Sequence, residues 1–178
     1  MKKFATIALT LAMAATAACA SATTVGICQL VQHEALDAAT QGFKDALTEK
    51  MPDVKFDEQN AAGDAATCVT ITSKFAADGV DLILANATAP LQAAVSATGD
   101  IPILGTSITD YATALGMKEW NGTTGINVSG TSDLAPLDGQ AAMIQELFPD
   151  AKNVGLIYCS AEANSIYQIT VIKGYLEE

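Results

Sequence analysis

Residues 25–47 read Val-Gly-Ile-Cys-Gln-Leu-Val-Gln-His-Glu-Ala-Leu-Asp-Ala-Ala-Thr-Gln-Gly-Phe-Lys-Asp-Ala-Leu, and this stretch decides the fold. Its apolar beginning, residues 25–30, is typical of a strand that is buried on both faces. From Leu36 onward, apolar side chains recur every three or four residues, which indicates an amphipathic helix. A polar turn, residues 29–34, joins the two and contains the only histidine of the chain. Strand, polar turn and helix form the first half of a βαβ unit, in which binding sites lie at the carboxyl ends of strands.

The same alternation continues along the chain. Further strands are predicted at residues 54–58, 80–85, 101–104 and 124–128, with helical apolar stripes between them. Asp64 is placed to cap the second helix, and Gly79 is placed to end it. This rhythm predicts an α/β fold with a doubly wound, parallel sheet of five strands and right-handed crossovers.

Composition divides the chain into four parts. We interpret them as an export signal (residues 1–22), a first α/β lobe (23–128), a crossing segment of small and polar residues (129–136) and the start of a second α/β lobe (137–178). The last part repeats the earlier unit, with a strand predicted at residues 154–158. Because its final helix has neither a cap nor a following strand, we expect a truncated chain, with the first lobe complete and the second only begun.

The amino-terminal segment predicts export from the cytoplasm. Lys2 and Lys3 precede a short, uncharged apolar run that ends in small residues, as in a signal peptide. Cleavage fits either of two small-residue sites between residues 18 and 22. The alternative is lipoprotein processing at Cys19, which would leave the protein anchored to the outer face of the membrane. Both interpretations place the mature chain outside the cytoplasm, either periplasmic or membrane-anchored.

Charge and cysteine spacing exclude several classes of function. The net charge is −11, with 20 acidic residues against 9 lysines, which argues against nucleic acid and anionic membranes as partners. Cys28, Cys68 and Cys159 form no C-x-x-C pair and accompany no histidine cluster, so we predict no metal site. They are interpreted as buried or partly buried free thiols, although an exported protein leaves room for a disulfide.

Polar turns follow the predicted strands, at residues 29–34, 86–88, 106–111 and 162–165. Helix N-termini at this edge bind anions through free amides and the helix dipole. Neighbouring parallel strands lie about 4.8 Å apart, so two turns reach one small molecule. We therefore assign a carboxylate to Thr88 with nearby amides and an ammonium to Asp110. Taken singly, such residues also fit ordinary capping and turn roles, and His33 fits a cap or surface position better than a catalyst.

In six motifs the chain resembles the bacterial ABC-transporter substrate-binding proteins of the tryptophan/tyrosine type. The motifs are residues 25–39, Gln-Asn-Ala-Ala-Gly-Asp (59–64), Asp-Leu-Ile-Leu-Ala-Asn-Ala-Thr (81–88), Ser-Ile-Thr-Asp (107–110), Gly-Thr-Ser-Asp (130–133) and Glu-Ala-Asn-Ser (162–165). The resemblance implies a two-lobed, type 1 periplasmic-binding fold that closes on a ligand and delivers it to a membrane permease. Departures at Glu34, Tyr111 and Cys159-Ser160 leave loop conformations and the exact ligand open.

The leading hypothesis is therefore the extracytoplasmic solute-binding component of an ABC importer, without catalysis or cofactor, that binds an aromatic amino acid between two lobes. The predicted ligand-binding residues are Gln29, His33, Thr88, Thr109, Asp110, Asn164 and Ser165. One alternative is an exported racemase-like enzyme acting on amino acids, which is disfavoured because Cys28 lies within its strand. Another is a sugar receptor of related fold, for which only Tyr111 and Tyr158 are placed to stack on a sugar ring.

Overall fold

The predicted alternation of strands and helices is present in the computed structural model, which describes residues 22–177. The elements in chain order are β1 (Thr24–Gln29), α1 (Glu34–Lys50), β2 (Lys55–Asn60), α2 (Ala65–Asp78), β3 (Leu82–Asn86), α3 (Thr88–Ala97), β4 (Ile103–Ile108), α4 (Tyr111–Ala114), β5 (Val128–Ser132), α5 (Leu137–Leu147) and α6 (Ala163–Glu177). Apart from Ala22, the predicted export signal, including Cys19, lies outside the described residues. Among residues 22–177, no helix is both long enough and apolar enough to cross a membrane.

The five strands form one sheet in the order β2-β1-β3-β4-β5, and every neighbouring pair is parallel. The predicted α/β fold with a parallel sheet is therefore confirmed. At the carboxyl edge, Gln29 pairs with Asn60 on one side and with Asn86 on the other, and Asn86 pairs in turn with Thr106. The strand order reverses between β1 and β3, so this edge includes a topological switch point.

Apolar side chains cover both faces of the sheet. On one face Val25, Ile27 and Leu84 pack against partly buried side chains that include Phe43 and Leu47 of α1. On the other face the core includes Phe75 of α2 and Leu91 of α3, both fully buried. Burial on both faces explains why the central strands β1 and β3 are mainly apolar runs rather than alternating ones.

Two of the predicted helix boundaries are confirmed in their side-chain and backbone detail. Asp64 accepts hydrogen bonds from the N–H groups of Ala66 at 3.0 Å and Thr67 at 3.3 Å, as expected of an N-cap. The Thr67 hydroxyl and these amides lower the pKa of Asp64. At the other end of α2, Gly79 has φ 67° and ψ 46°, the left-handed conformation that glycine adopts without a steric penalty.

Three strand predictions require correction. The fourth strand is Ile103–Ile108 rather than 101–104, because it follows Pro102 and continues through the predicted polar turn. The fifth begins at Val128, where the prediction ended it, and takes the first residues of the predicted crossing segment. Left-handed backbone at Gly122 and Gly125 keeps the residues before it in turns.

Residues 154–158, the third incorrect prediction, are irregular. A strand needs a neighbour to satisfy its backbone N–H and C=O groups, and no strand of the described chain lies beside this segment. Its apolar side chains are correspondingly exposed, Ile157 completely so.

Candidate functional site

A cavity of about 370 Å³ lies at the carboxyl edge of the sheet, where α2, α3 and α6 begin. Its volume falls within the range of roughly 300–1,000 Å³ that is common for small-ligand sites. It is lined by Leu30, Gly63, Asp64, Ala65, Ala87, Thr88, Ala89, Gln92, Ser107, Cys159, Ala161, Glu162, Ala163 and Asn164. The lining thus joins the strand ends of the sheet to the turn that precedes α6.

The N-terminus of α3 is the feature of this cavity best suited to bind an anion. No side chain caps the helix at Ala87, and Pro90 in its first turn has no N–H group. The first backbone bond of the helix runs from the Leu91 N–H to the Ala87 carbonyl, at 3.2 Å. The Thr88 and Ala89 amides precede that bond, and both residues line the cavity. Free amides and the positive end of the helix dipole attract an anionic group to such a position.

Unusual backbone conformations gather at the same edge. The non-glycine residues with positive φ in the described chain are Ala62 (52°), Ala87 (104°) and Ser107 (57°), near the ends of β2, β3 and β4. Ala87, with ψ 167°, occupies a region that is almost exclusive to glycine. The Ala87 N–H donates to the Thr106 carbonyl at 3.0 Å, so the neighbouring strand holds this turn. Strain of this kind concentrates at binding sites, and both Ala87 and Ser107 line the cavity.

Two carboxylates complete the charged lining, and they differ in what they contact. Asp64 is engaged as the cap of α2. Glu162 accepts only a long bond, 3.4 Å, from the Asn164 side-chain amide within the described structure. The lining contains no lysine. A free carboxylate and an uncapped helix N-terminus in one cavity are the two groups that a zwitterion requires.

Of the seven predicted ligand-binding residues, the structure brings Thr88 and Asn164 together in this cavity. Ser165 lies beside it, where its Oγ accepts from the Cys159 N–H at 2.9 Å and so orients the turn before α6. Thr109 is buried, and its carbonyl accepts from Ser132 Oγ at 2.9 Å. The Ser165 contact thus reaches a lining residue, Cys159, whereas the Thr109 contact joins the end of β4 to β5 outside the lining.

Asp110 and His33 serve as helix caps in the structure. Asp110 accepts from the Thr113 N–H at 2.7 Å at the start of α4. His33 Nδ1 accepts from the Ala35 N–H at 3.2 Å at the start of α1, and the residue is exposed. Neither belongs to the lining of the 370 Å³ cavity.

Gln29 lies in a buried polar network on the α1 side of the sheet. Its Oε1 accepts from Thr40 Oγ1 at 2.7 Å, and its Nε2 donates to Asp37 at 2.5 Å. Asn86 Nδ2 donates to Thr40 Oγ1 at 2.9 Å and to the Leu36 carbonyl at 2.8 Å. This network links the ends of β1 and β3 to α1, so Gln29 stabilises the strand ends from the α1 face of the sheet.

Sequence reasoning missed several residues of the cavity as site residues. Ser107 and Glu162 lie within polar turns that the sequence indicated, so their residue types were a usable signal. Gln92 lies inside α3, outside the predicted polar turns, so its residue type gave no signal. Its Nε2 donates to the Ala114 carbonyl at 3.0 Å. Ala87 contributes through its backbone conformation, and the residue type alanine does not predict a positive φ.

The structural neighbours of this parallel sheet, with its cavity at the carboxyl edge, are periplasmic-binding-protein folds. The chain belongs to the family of ABC transporter substrate-binding proteins, because residues 24–178 match that family. It is 42% identical over 158 residues to a protein named "Tyrosine-binding protein" from Clostridioides difficile (strain R20291). That match covers 86% of this chain and 46% of the relative.

Solved structures agree with this assignment. An ABC domain from Streptococcus pneumonia in complex with L-Trp is 36% identical, with a TM-score of 0.81. A ligand-free, open substrate-binding protein with adhesive properties from Clostridium difficile is 41% identical, with a TM-score of 0.66. The matches cover 88% and 87% of this chain, and 54% of each solved chain. The chain thus spans about half the length of these relatives, which are named for binding rather than catalysis.

Proposed function

We propose that this chain is the extracytoplasmic solute-binding component of an ABC importer, which holds an aromatic amino acid between two lobes and delivers it to a membrane permease. The observation that carries the proposal is the cavity in which the uncapped N-terminus of α3 and the Glu162 carboxylate occur together. The Tyr- and Trp-binding designations of the relatives support the ligand class.

The ligand carboxylate binds at the start of α3. The Thr88 hydroxyl and the amides of Thr88 and Ala89 donate hydrogen bonds to it, and the helix dipole adds attraction. Thr88 is 5% exposed, so water competes weakly for these donors. The chain has no arginine, and helix amides are therefore the natural anion donors of this lobe.

Glu162 and Asp110 are the two candidates for binding the ligand ammonium. Glu162 lines the cavity and has one long hydrogen bond, so its carboxylate is free to pair with a cation. The assignment of the ammonium to Asp110 stays a prediction, and its capping bond to Thr113 engages one of its oxygens. Asn164 adds an amide to the same wall. Ligand contacts by Gln29, His33, Thr109 and Ser165 stay predictions, since none of the four belongs to the cavity lining.

Calorimetry on the protein encoded by the complete gene tests the proposal, with L-tryptophan, L-tyrosine and L-phenylalanine as ligands. We expect at least one of them to bind. A hydrogen bond to a charged group contributes roughly 1.5–3 kcal/mol, so Thr88→Val and Glu162→Gln are each expected to weaken binding about ten- to a hundredfold. Glu146→Gln, an exposed charge removal on α5, is the matched control and leaves affinity unchanged.

The outcomes separate the candidates. Asp110→Asn retains a good capping residue, so its affinity stays at the parent value if Glu162 holds the ammonium and falls if Asp110 does. Failure of all three amino acids to bind contradicts the proposed function. Binding of a hexose instead supports the sugar-receptor alternative, and loss of optical activity of an L-amino acid during incubation supports the racemase alternative.

A further inference from the structure

Two buried thiols lie on packed elements of the sheet lobe, away from the proposed ligand. Cys28 is in β1 and Cys68 is in the first half of α2, and both are 0% exposed within one hydrophobic cluster. Both are free thiols in the structure, and each thiol shifts the pKa of the other, as expected of neighbouring side chains. Neither belongs to the lining of the 370 Å³ cavity.

The packing of α2 on β1 explains why the two thiols meet. A Cβ atom on Gly26 would lie 2.6 Å from the Phe75 ring, so the helix approaches the strand closely there. From Phe75 back to Cys68 the helix covers seven residues, roughly 10 Å. From Gly26 to Cys28 the strand advances two residues on the same face, roughly 7 Å. The helix runs opposite to the strand, so both steps lead toward the same end of the sheet.

We propose that Cys28 and Cys68 form an intramolecular disulfide when the folding chain meets a disulfide oxidant. In the first step one cysteine thiolate attacks a sulfur of the oxidant, RSSR, and releases one RS⁻. The second thiolate then attacks the mixed disulfide and releases the other RS⁻. The pair loses two electrons and two protons, and RSSR is reduced to two RSH molecules. Whether the chain meets such an oxidant in the cell depends on the proposed extracytoplasmic location. The reaction itself does not depend on that location.

The reaction belongs to folding rather than to the folded state. The hydrogen bond to Cys68 and, after it, burial raise the pKa of the Cys28 thiol far above its usual range. Both residues are also 0% exposed, so an oxidant does not reach either sulfur in the folded protein and the folded pair reacts slowly. Exposed Cys159 offers the contrasting thiol, which oxidants and alkylating reagents reach in the folded protein.

Differential alkylation of the full chain tests the proposal. The protein is refolded from reduced, denatured chain in oxidised and reduced glutathione, denatured again, and treated with iodoacetamide. It is then reduced, labelled with N-ethylmaleimide and mapped by mass spectrometry. We expect Cys28 and Cys68 to carry the second label and to be joined to each other in a peptide map made before reduction, whereas Cys159 carries either the first label or a glutathione adduct. Iodoacetamide on both Cys28 and Cys68, or pairing of either one with Cys159, overturns the proposal.

Thermal melting supplies a second readout. A disulfide that closes the loop from residue 28 to residue 68 restricts the unfolded chain and is expected to raise the Tm by roughly 10 °C over the reduced protein. Cys159→Ser keeps this redox-dependent difference, whereas Cys68→Ala abolishes it. A Tm that is equal in the oxidised and reduced parent contradicts a stabilising bridge. The thiol map is independent of ligand calorimetry, so the disulfide proposal can fail while the proposed function stands, and the reverse.

Discussion

The sheet lobe, residues 24–132, and the C-terminal segment, residues 133–177, carry similar apolar patterns but reach different degrees of burial. In the sheet lobe, helices pack on both faces of five paired strands, and side chains such as Phe75 and Leu91 are fully buried. In the C-terminal segment, α5 and α6 pack against each other, yet Leu147 and Phe148 remain 63% and 64% exposed. A periodic apolar stripe therefore predicts a helix, while its burial depends on whether a sheet lies beneath it.

Truncating one phenylalanine in each region is expected to give the largest contrast. Phe75→Ala removes a fully buried ring of the sheet lobe and should lower the free energy of unfolding by about 3–5 kcal/mol. Phe148→Ala removes a ring that is mostly in water and should change it by no more than about 0.5 kcal/mol. Equilibrium urea unfolding measures both. Equal losses would mean that the C-terminal segment is as tightly packed as the sheet lobe.

Adding a methyl group provides the opposite perturbation. Gly26→Ala places a Cβ atom 2.6 Å from the Phe75 ring, so we expect a destabilisation of about 1–3 kcal/mol from overpacking. Gly155→Ala meets no atom within 4 Å and serves as the matched control in the C-terminal segment. The same urea titrations compare them. An unchanged midpoint for Gly26→Ala would contradict the close approach of α2 to β1.

Exposed apolar surface in the C-terminal segment predicts binding of a hydrophobic dye such as anilinonaphthalene sulfonate. Replacing Leu147 and Phe148 together by serine should lower the dye fluorescence, because these neighbouring side chains form an exposed patch. Val69→Ser, a half-exposed single site on α2, should leave the fluorescence nearly unchanged. Fluorescence that does not respond to the double substitution would place the dye elsewhere.

The smallest effect concerns the cap of α2. Hydrogen bonds from the Thr67 hydroxyl and the Ala66 amide lower the pKa of Asp64 below its unfolded value near 4. The stabilisation is therefore complete above that unfolded value and is lost as the pH falls through the folded one. Asp64→Asn keeps the cap without titrating, so its Tm should fall less between pH 6 and pH 3 than that of the parent. Asp53→Asn, in the exposed turn after α1, controls for removal of a charge.

The sheet could be predicted because its signals are local. A continuous apolar run, a polar turn and a helical stripe recur often enough to define βαβ units, and Asp64 and Gly79 mark helix ends by residue type alone. The two misplaced strands lie where the local signal is weak. Beyond Val128 the chain offers small and polar residues, and pairing with β4 rather than composition selects Val128–Ser132.

The candidate site was predictable only in part, because a strand buried on both faces does not reveal which face each side chain occupies. Gln29 is the last residue of an apolar strand and was therefore predicted to face the ligand. Its side chain instead accepts a hydrogen bond from Thr40 on the α1 side of the sheet. Asp110 and His33 are polar residues at helix starts, where capping and ligand binding call for the same residue types. Their capping bonds, to Thr113 and Ala35, are local, whereas a place in the cavity depends on contacts between distant segments.

The sequence by itself determined the alternation of strands and helices as far as β5 and the parallel sheet, and it predicted the edge for a ligand, because each follows from hydrophobic periodicity and from the geometry of parallel connections. The tertiary structure decided which polar residues share a cavity. Thr88 and Glu162 are far apart in the chain and line one cavity because the turn before α6 lies near the start of α3, and Ala87 takes a strained conformation because β4 holds its amide. Such juxtapositions depend on packing between elements, which no local stretch of sequence encodes.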